Sequence, residues 1–156
     1  MSGFTAGFEL PLLLFAGFRS LIDDLHHRLA DQGHPDIRPA HGFALQAIGS
    51  RDATAADLGR RVGVSKQAAG KTIDRLEELG YVGRSFDAAD ARRRTVRLTE
   101  RGWDVLRRSA LIFDELRADW SGRVGERRVT QLEDVLRTVV GPAAMRLDTA
   151  GWFGSV

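Results

Sequence analysis

Within one short stretch the chain places Ser65, Lys66, Gln67, Gly70, Lys71 and Arg75. These are residue types that donate hydrogen bonds to anionic and base-edge acceptors. Lys66 or Lys71 could donate to guanine O6 and N7, Gln67 could pair bidentately with adenine, and Gly70 would let the backbone come close. Ser65 heads the stretch, and a helix beginning there would offer free amides to a phosphate. Arg75 stands further back and suits a phosphate better than a base. A second basic group follows at Arg92, Arg93 and Arg94, able to reach phosphates or a narrow minor groove, with Asp90 placed to orient one of them. Any one of these residues reads equally well as a solvated surface charge. The elements that carry them separate the two readings.

Thr54 is an N-cap candidate with Asp57 three residues on, a capping-box pattern that opens a helix to about Val62 and adds Thr54 to the contact set. Gly63-Val64 makes a tight turn and Ser65 caps the next helix, Lys66 to about Leu79, which stops at Gly80. On that helix Ala69, Ile73, Leu76 and Leu79 form the inward stripe, leaving Lys66, Gln67, Gly70, Lys71, Asp74 and Arg75 outward. Tyr81–Phe86 and Thr95–Thr99 read as two short strands around a polar loop from Asp87 to Arg94. Helix, turn, helix, strand, basic loop, strand is an order that puts a helix in the major groove and a hairpin tip on the neighbouring backbone.

The flanks are helical. Leu10, Leu14, Phe18, Leu21, Leu25 and Leu29 recur at helical spacing, widened by Leu13, Phe15 and Ile22, and imply a buried helix. Gly33, Pro35 and Pro39 interrupt it before a short helix from Ala40 to Ile48, followed by a turn at Gly49–Asp52. Thr99 caps a long helix with the stripe Leu106, Ala110, Phe113, Leu116 and Trp120, closed by Gly122 and Gly125. A last helix carries Val129, Leu132, Val135, Leu136 and Val139 and ends at Gly141-Pro142. The fold class expected is mainly α with a small β-wing. A winged helix-turn-helix over 40–102 would be joined to a helical dimerisation region formed by 1–39 and 103–156. The apolar first helix, preceded by Phe4 and Phe8, and the stripe through Val139 exceed what one small module can cover, so self-association is expected to bury them.

Composition agrees. The 156 residues suit one compact unit, and 43% hydrophobic with 28% charged residues is ordinary for a folded chain. The net charge is only +2, but the segment from Thr54 to Gly102 holds eleven Lys/Arg against seven Asp/Glu, which concentrates positive potential in the middle third. With no cysteine, disulfides, thiolate zinc sites and thiol redox switches are excluded. The apolar run Leu10–Phe18 lacks a preceding basic residue and is too short to span a bilayer, so a cytoplasmic protein is expected.

Ser65-x-x-Ala-Ala-Gly-Lys-Thr-Ile-Asp-Arg-Leu-Glu77, Gly80-Tyr-Val, and Asp87-x-x-Asp90-x-Arg92-Arg-x-x-Val96-x-Leu-Thr99-x-x-Gly102 together resemble the MarR family of bacterial transcriptional regulators. The resemblance implies a homodimer whose first and last helices pack on the partner's and set two winged modules on palindromic double-stranded DNA, with repression as the usual outcome. It places the reading helix on Ser65 to Arg75 and the wing-tip arginine on Arg92, supported by Asp90. It also implies small phenolic or other aromatic anions as effectors, in a cleft near the start of the second helix. His41 is the candidate there, with Phe43, Phe113 and Trp120. Ala68, Gly70 and Ala91 depart from the residues common in the family, so the operator sequence is this chain's own.

Other chemistries are weaker. Gly63 and Gly70-Lys71-Thr72 have six residues between the glycines where a phosphate-binding loop needs four, and no strand precedes them. Adjacent His26 and His27 point to different helix faces, and with His34 and His41 they read as surface or pocket histidines rather than metal ligands. Trp103, Phe113 and Trp120 read as core packing. No nucleophile elbow, metalloprotease helix or apolar carboxylate pair is present, so neither an enzyme nor a cofactor is expected. Two non-catalytic alternatives remain, a protein-interaction module that has lost DNA and a weakly specific architectural DNA binder.

Overall fold

The structure is a computed structural model and describes residues 6–86, 88–90 and 92–142. Phe4, Asp87, Ala91 and the tail bearing Trp152 and Phe153 lie outside the described residues. After a short 3-10 turn come α1 (Glu9–Asp31), α2 (Pro39–Ser50), α3 (Ala55–Val62), α4 (Lys66–Glu78), β1 (Val82–Phe86), β2 (Arg94–Leu98), α5 (Glu100–Val124) and α6 (Glu126–Val140). The fold is mainly helical with one antiparallel hairpin, in register from Val82 opposite Leu98 to Phe86 opposite Arg94. Ala53 adds a single bridge to Val96, which stitches the turn before α3 onto the outer side of β2.

Local chemistry sets these boundaries. The Thr54 hydroxyl accepts from the Asp57 amide at 3.1 Å while the Asp57 carboxylate accepts from the Thr54 amide at 3.0 Å, a reciprocal cap on α3. Gly63 at φ +74° turns the chain, and a Cβ at Gly59 would stand 2.8 Å from the Val64 carbonyl, so glycine at 59 lets α3 and α4 close up. Ser65 caps α4 through the Ala68 amide. The other end of α4 is a Schellman motif: Gly80, at φ +81°, donates to the Glu77 carbonyl at 3.0 Å and Tyr81 to that of Leu76 at 2.9 Å.

Four expectations shift. Pro39 starts α2 rather than breaking a pattern, because its fixed φ suits the first helical position, and α2 runs on through Gly49 to Ser50, into the expected turn. Arg94 belongs to β2, paired across to Phe86, rather than to the loop. On α5 the core takes Val105, Ile112 and Leu116, with Leu106 and Phe113 half-buried against it and Ala110 exposed, so the buried face is wider than the expected stripe. The first half of α1 is not buried in a single chain: Leu10, Leu12, Leu13 and Phe18 are 43% to 67% exposed, and the burial is at Leu25 and Leu29.

The core runs from Leu25 and Leu29 through Leu45 and Ile48 to Leu58, Ile73, Leu76 and Val96. Bridging ion pairs tie the flanking helices. Arg28 reaches Glu115 and Asp119 on α5, and Arg117 grips Glu133 of α6 through two contacts of 2.7 and 3.1 Å. No helix among the described residues is long and apolar enough to cross a membrane.

Candidate nucleic-acid interface

Helix α4 turns Ala69, Ile73 and Leu76 into the core and leaves Lys66, Gln67, Lys71 and Arg75 exposed. A Cβ added at Gly70 would meet nothing within 4 Å, so the glycine opens the outward face without any demand from packing. Ser65 and Thr54 spend their hydroxyls on the helix caps, and Arg75 is paired with Glu78 at 3.2 Å.

At the hairpin tip the Asp90 carboxylate accepts from the Arg92 amide at 3.0 Å and its carbonyl from the Arg93 amide at 3.0 Å. Asp90 thus orders the backbone of the turn rather than a guanidinium. The three arginines then diverge. Arg92 is exposed and its guanidinium has no ion-pair partner among the described residues. Arg93 reaches back to Asp57 at 3.1 Å, and Arg94 lies over the Phe86 ring, 5.4 Å from its centroid. Asp57 is consequently crowded with donors. The Thr54 amide, then the Thr54 hydroxyl and Arg93, hold its carboxyl down to about 2, against a smaller upward push from burial.

Sequence reasoning missed Arg84. Its guanidinium leaves β1 and forks onto two α4 carboxylates, Asp74 at 2.5 Å and Glu77 at 3.1 Å. It also missed Arg97, 2.9 Å from Asp52, and Arg61, which donates to the Ala47 and Arg51 carbonyls at 3.0 and 2.6 Å and so closes the end of α2. The only sequence signal for Arg84 was the i, i+3 spacing of Asp74 and Glu77 on one helix face.

The four residues considered for an effector cleft separate. Phe43 and Phe113 line one apolar cavity with Ile22, Leu25, His26 and Leu29, whose volume is about 50 Å³. His41 instead accepts from the Arg38 amide at 3.1 Å at the start of α2, and burial, with Arg75 second, holds its imidazole below the ordinary range. Trp120 packs on Gly17 and borders a different hollow with Arg123 and Val124. His34 is neither a surface nor a pocket histidine: it is 3% exposed, with Tyr81 and Asp104 on its two nitrogens. Among the described residues no group of three or more His, Cys, Asp or Glu side chains could hold a metal.

A capped helix pair, an outward polar face on its second helix and a hairpin pinned beside it define a winged helix-turn-helix protein. Residues 36–93 match the sequence model of the MarR family. The fold extends the likeness over most of the molecule. The YusO protein of Bacillus subtilis superposes with a TM-score of 0.68 at 19% identity, covering 90% of this chain and 98% of that one. Streptococcus pneumoniae FabT, solved in complex with DNA, gives 0.70 at 17%, covering 84% and 92%. Apo MarR from E. coli gives 0.67 at 23%, covering 85% and 97%.

Proposed function

We propose that this protein is a DNA-binding transcriptional regulator that reads a pseudo-palindromic operator as a homodimer and represses by occupying it. The observation that carries the reading is the outward face of α4. Lys66, Gln67 and Lys71 are exposed and their head groups have no ion-pair or hydrogen-bond partner among the described residues, while the neighbouring carboxylates Asp57, Asp74 and Glu77 are engaged by arginines. Free cations beside neutralised acids suit a polyanion. The solved DNA complex of FabT, which shares this fold, supports the same use of it. Residues 40–102 would form the reading part and 1–39 with 103–156 the dimerising part, where exposed Leu12, Leu13, Val135 and Val139 await a partner surface. Two-fold symmetry then sets half-sites about 34–36 Å apart.

Release by a small aromatic or anionic effector is supported by one observation. His26 lines the apolar cavity between α1, α2 and α5, its Nδ1 lies 2.6 Å from the Ile22 carbonyl, and its Nε2 is buried with no hydrogen-bond partner among the described residues. A cavity of about 50 Å³ is well below the 300 Å³ or more that a small-molecule site offers, so an effector would have to part the helices, which is how it would act on α4.

The test is binding to the DNA upstream of the protein's own gene against random competitor over a salt series, for wild type and Arg92→Ala. Log affinity should fall with log salt at roughly 0.9 per phosphate contact, and Arg92→Ala should flatten that slope by about one. Equal displacement by random DNA would leave an architectural binder, and no binding would leave a protein-interaction module.

A further inference from the structure

A two-stranded hairpin is marginal alone, and its angle to the helix beside it is not fixed by its own ladder. Here both edges are strapped by arginines. On the β1 edge Arg84 bridges Asp74 and Glu77, one turn apart on α4. On the β2 edge Arg93 reaches Asp57 at the start of α3, and Arg97 reaches Asp52 in the turn before it. The Ala53–Val96 bridge lies on that same edge. Arg92, between the straps, is left without an ion pair among the described residues.

We propose that Arg84, with Arg93 and Arg97 on the opposite edge, is a positioning residue that sets the angle of the wing to α4, so that these arginines brace the hairpin while Arg92 makes its DNA contact. The inference rests on the DNA-reading function proposed above and assigns its parts. The arginine count of the wing would otherwise suggest a uniform cationic patch, each guanidinium worth one phosphate. The geometry divides the work. Arg84 has both forks committed to carboxylates, a planar match that lysine, as a point charge, cannot reproduce. Exposed ion pairs add little to global stability. A pair across a hinge acts instead on orientation, where a small energy decides which of two near-equal angles is occupied.

The brace reverses an electrostatic sign, and this makes it testable. Asp74 and Glu77 lie on or beside the face that meets DNA, so removing their charges should strengthen binding to a polyanion if the carboxylates only repel it. If they anchor Arg84, the same change frees the wing. The experiment compares wild type, the double variant Asp74→Asn/Glu77→Gln, and Arg84→Lys by titration with operator DNA, hydroxyl-radical footprinting and guanine N7 methylation protection. Thermal melts confirm that each variant is folded. The expected result is about tenfold weaker binding for the double variant and for Arg84→Lys, with the flanking protection from the wing lost and the N7 protection under α4 kept. Binding as tight as wild type or tighter, with the wing footprint intact, overturns the brace. If wild type shows no selective DNA binding, the regulator reading fails, and the brace is judged on free protein by amide hydrogen exchange at Ser85, Thr95 and Val96. Faster exchange in the double variant upholds it, and unchanged exchange overturns it.

Discussion

The hydroxyl of Tyr81 and the Nδ1 of His34 lie 2.8 Å apart, and both side chains are sealed from solvent. His34 follows α1, while Tyr81 is the residue at which the chain leaves α4, so one contact joins the flanking helices to the end of the outward-facing helix. The Nε2 of His34 is 2.9 Å from Asp104 on α5. A carboxylate can only accept, so Nε2 carries the proton, and in the neutral ring Nδ1 accepts from the tyrosine. Arg108 first and His34 second hold the Asp104 carboxyl below the usual range, and Arg101 stacks over Tyr81 with its guanidinium carbon 4.7 Å from the ring centroid.

Tyr81→Phe should therefore cost more than a lost surface contact. It leaves Nδ1 buried without a donor, worth about 1–3 kcal/mol of stability. Urea unfolding of Tyr81→Phe beside wild type measures it. A loss below about 0.5 kcal/mol, the ordinary range of a surface change, would mean that water reaches His34 and that the contact is no clamp.

Two glycines make opposite predictions. A Cβ at Gly102 would stand 2.3 Å from the Tyr81 carbonyl, backbone against backbone where α5 begins, so Gly102→Ala should give little folded protein. Gly70 is helical, has open space where its Cβ would be, and carries no positive φ, so Gly70→Ala should stabilise by about 0.5–1 kcal/mol through helix propensity. If the α4 backbone approaches bases at this point, the same methyl should weaken operator binding. Melting temperature and DNA affinity moving in opposite directions would locate Gly70 at the contact, and both rising together would place it away from DNA.

What the residues made legible was mostly local. The caps at Thr54, Ser65 and Thr99 and the stop at Gly80 are side-chain or backbone bonds within a few positions, so their pattern survives in sequence. The outward face of α4 followed from periodicity for the same reason. The missed features are contacts between distant segments. His34, Tyr81 and Asp104 form one buried network across three elements, and nothing near His34 distinguishes it from His27 on an exposed helix face. Arg84 was invisible as a brace because its meaning depends on how a strand lies against α4. The α5 stripe was incomplete because the core meets two adjacent faces of that helix and takes in Val105 and Ile112 as well.

Asp57 predicts how the helix-turn-helix responds to acid. Its folded value of about 2 lies below the ordinary carboxylate value of about 3.8, so its ionised form is favoured by folding. The stabilisation is fully present above the unfolded value, near pH 4, and is lost as pH falls toward 2. Thermal midpoints measured from pH 6 down to pH 2.5 should drop more steeply for wild type than for Asp57→Asn, which has no charge to lose. Parallel curves would show that the Thr54 amide and Arg93 do not hold this carboxylate in solution.

The exposed apolar face of the flanking helices makes the last prediction. Val135 and Val139 on α6 are 58% and 77% exposed, and Leu12 and Leu13 on α1 are likewise open, although ion pairs from Arg28 and Arg117 tie these helices to α5. Apolar residues one turn apart with polar ones behind them are the pattern of a surface built for another helix. Val135→Asp with Val139→Asp would bury two carboxylates in any such interface, a cost of several kcal/mol against an association free energy of about 8 kcal/mol for a micromolar dimer. Sedimentation at ten micromolar should show wild type at twice the chain mass and the double variant at once the mass, still folded by circular dichroism. Operator affinity should fall with it, because one winged module keeps only one half-site. A wild-type monomer at that concentration would mean that another surface covers these helices and that the two-fold reading of DNA fails with it.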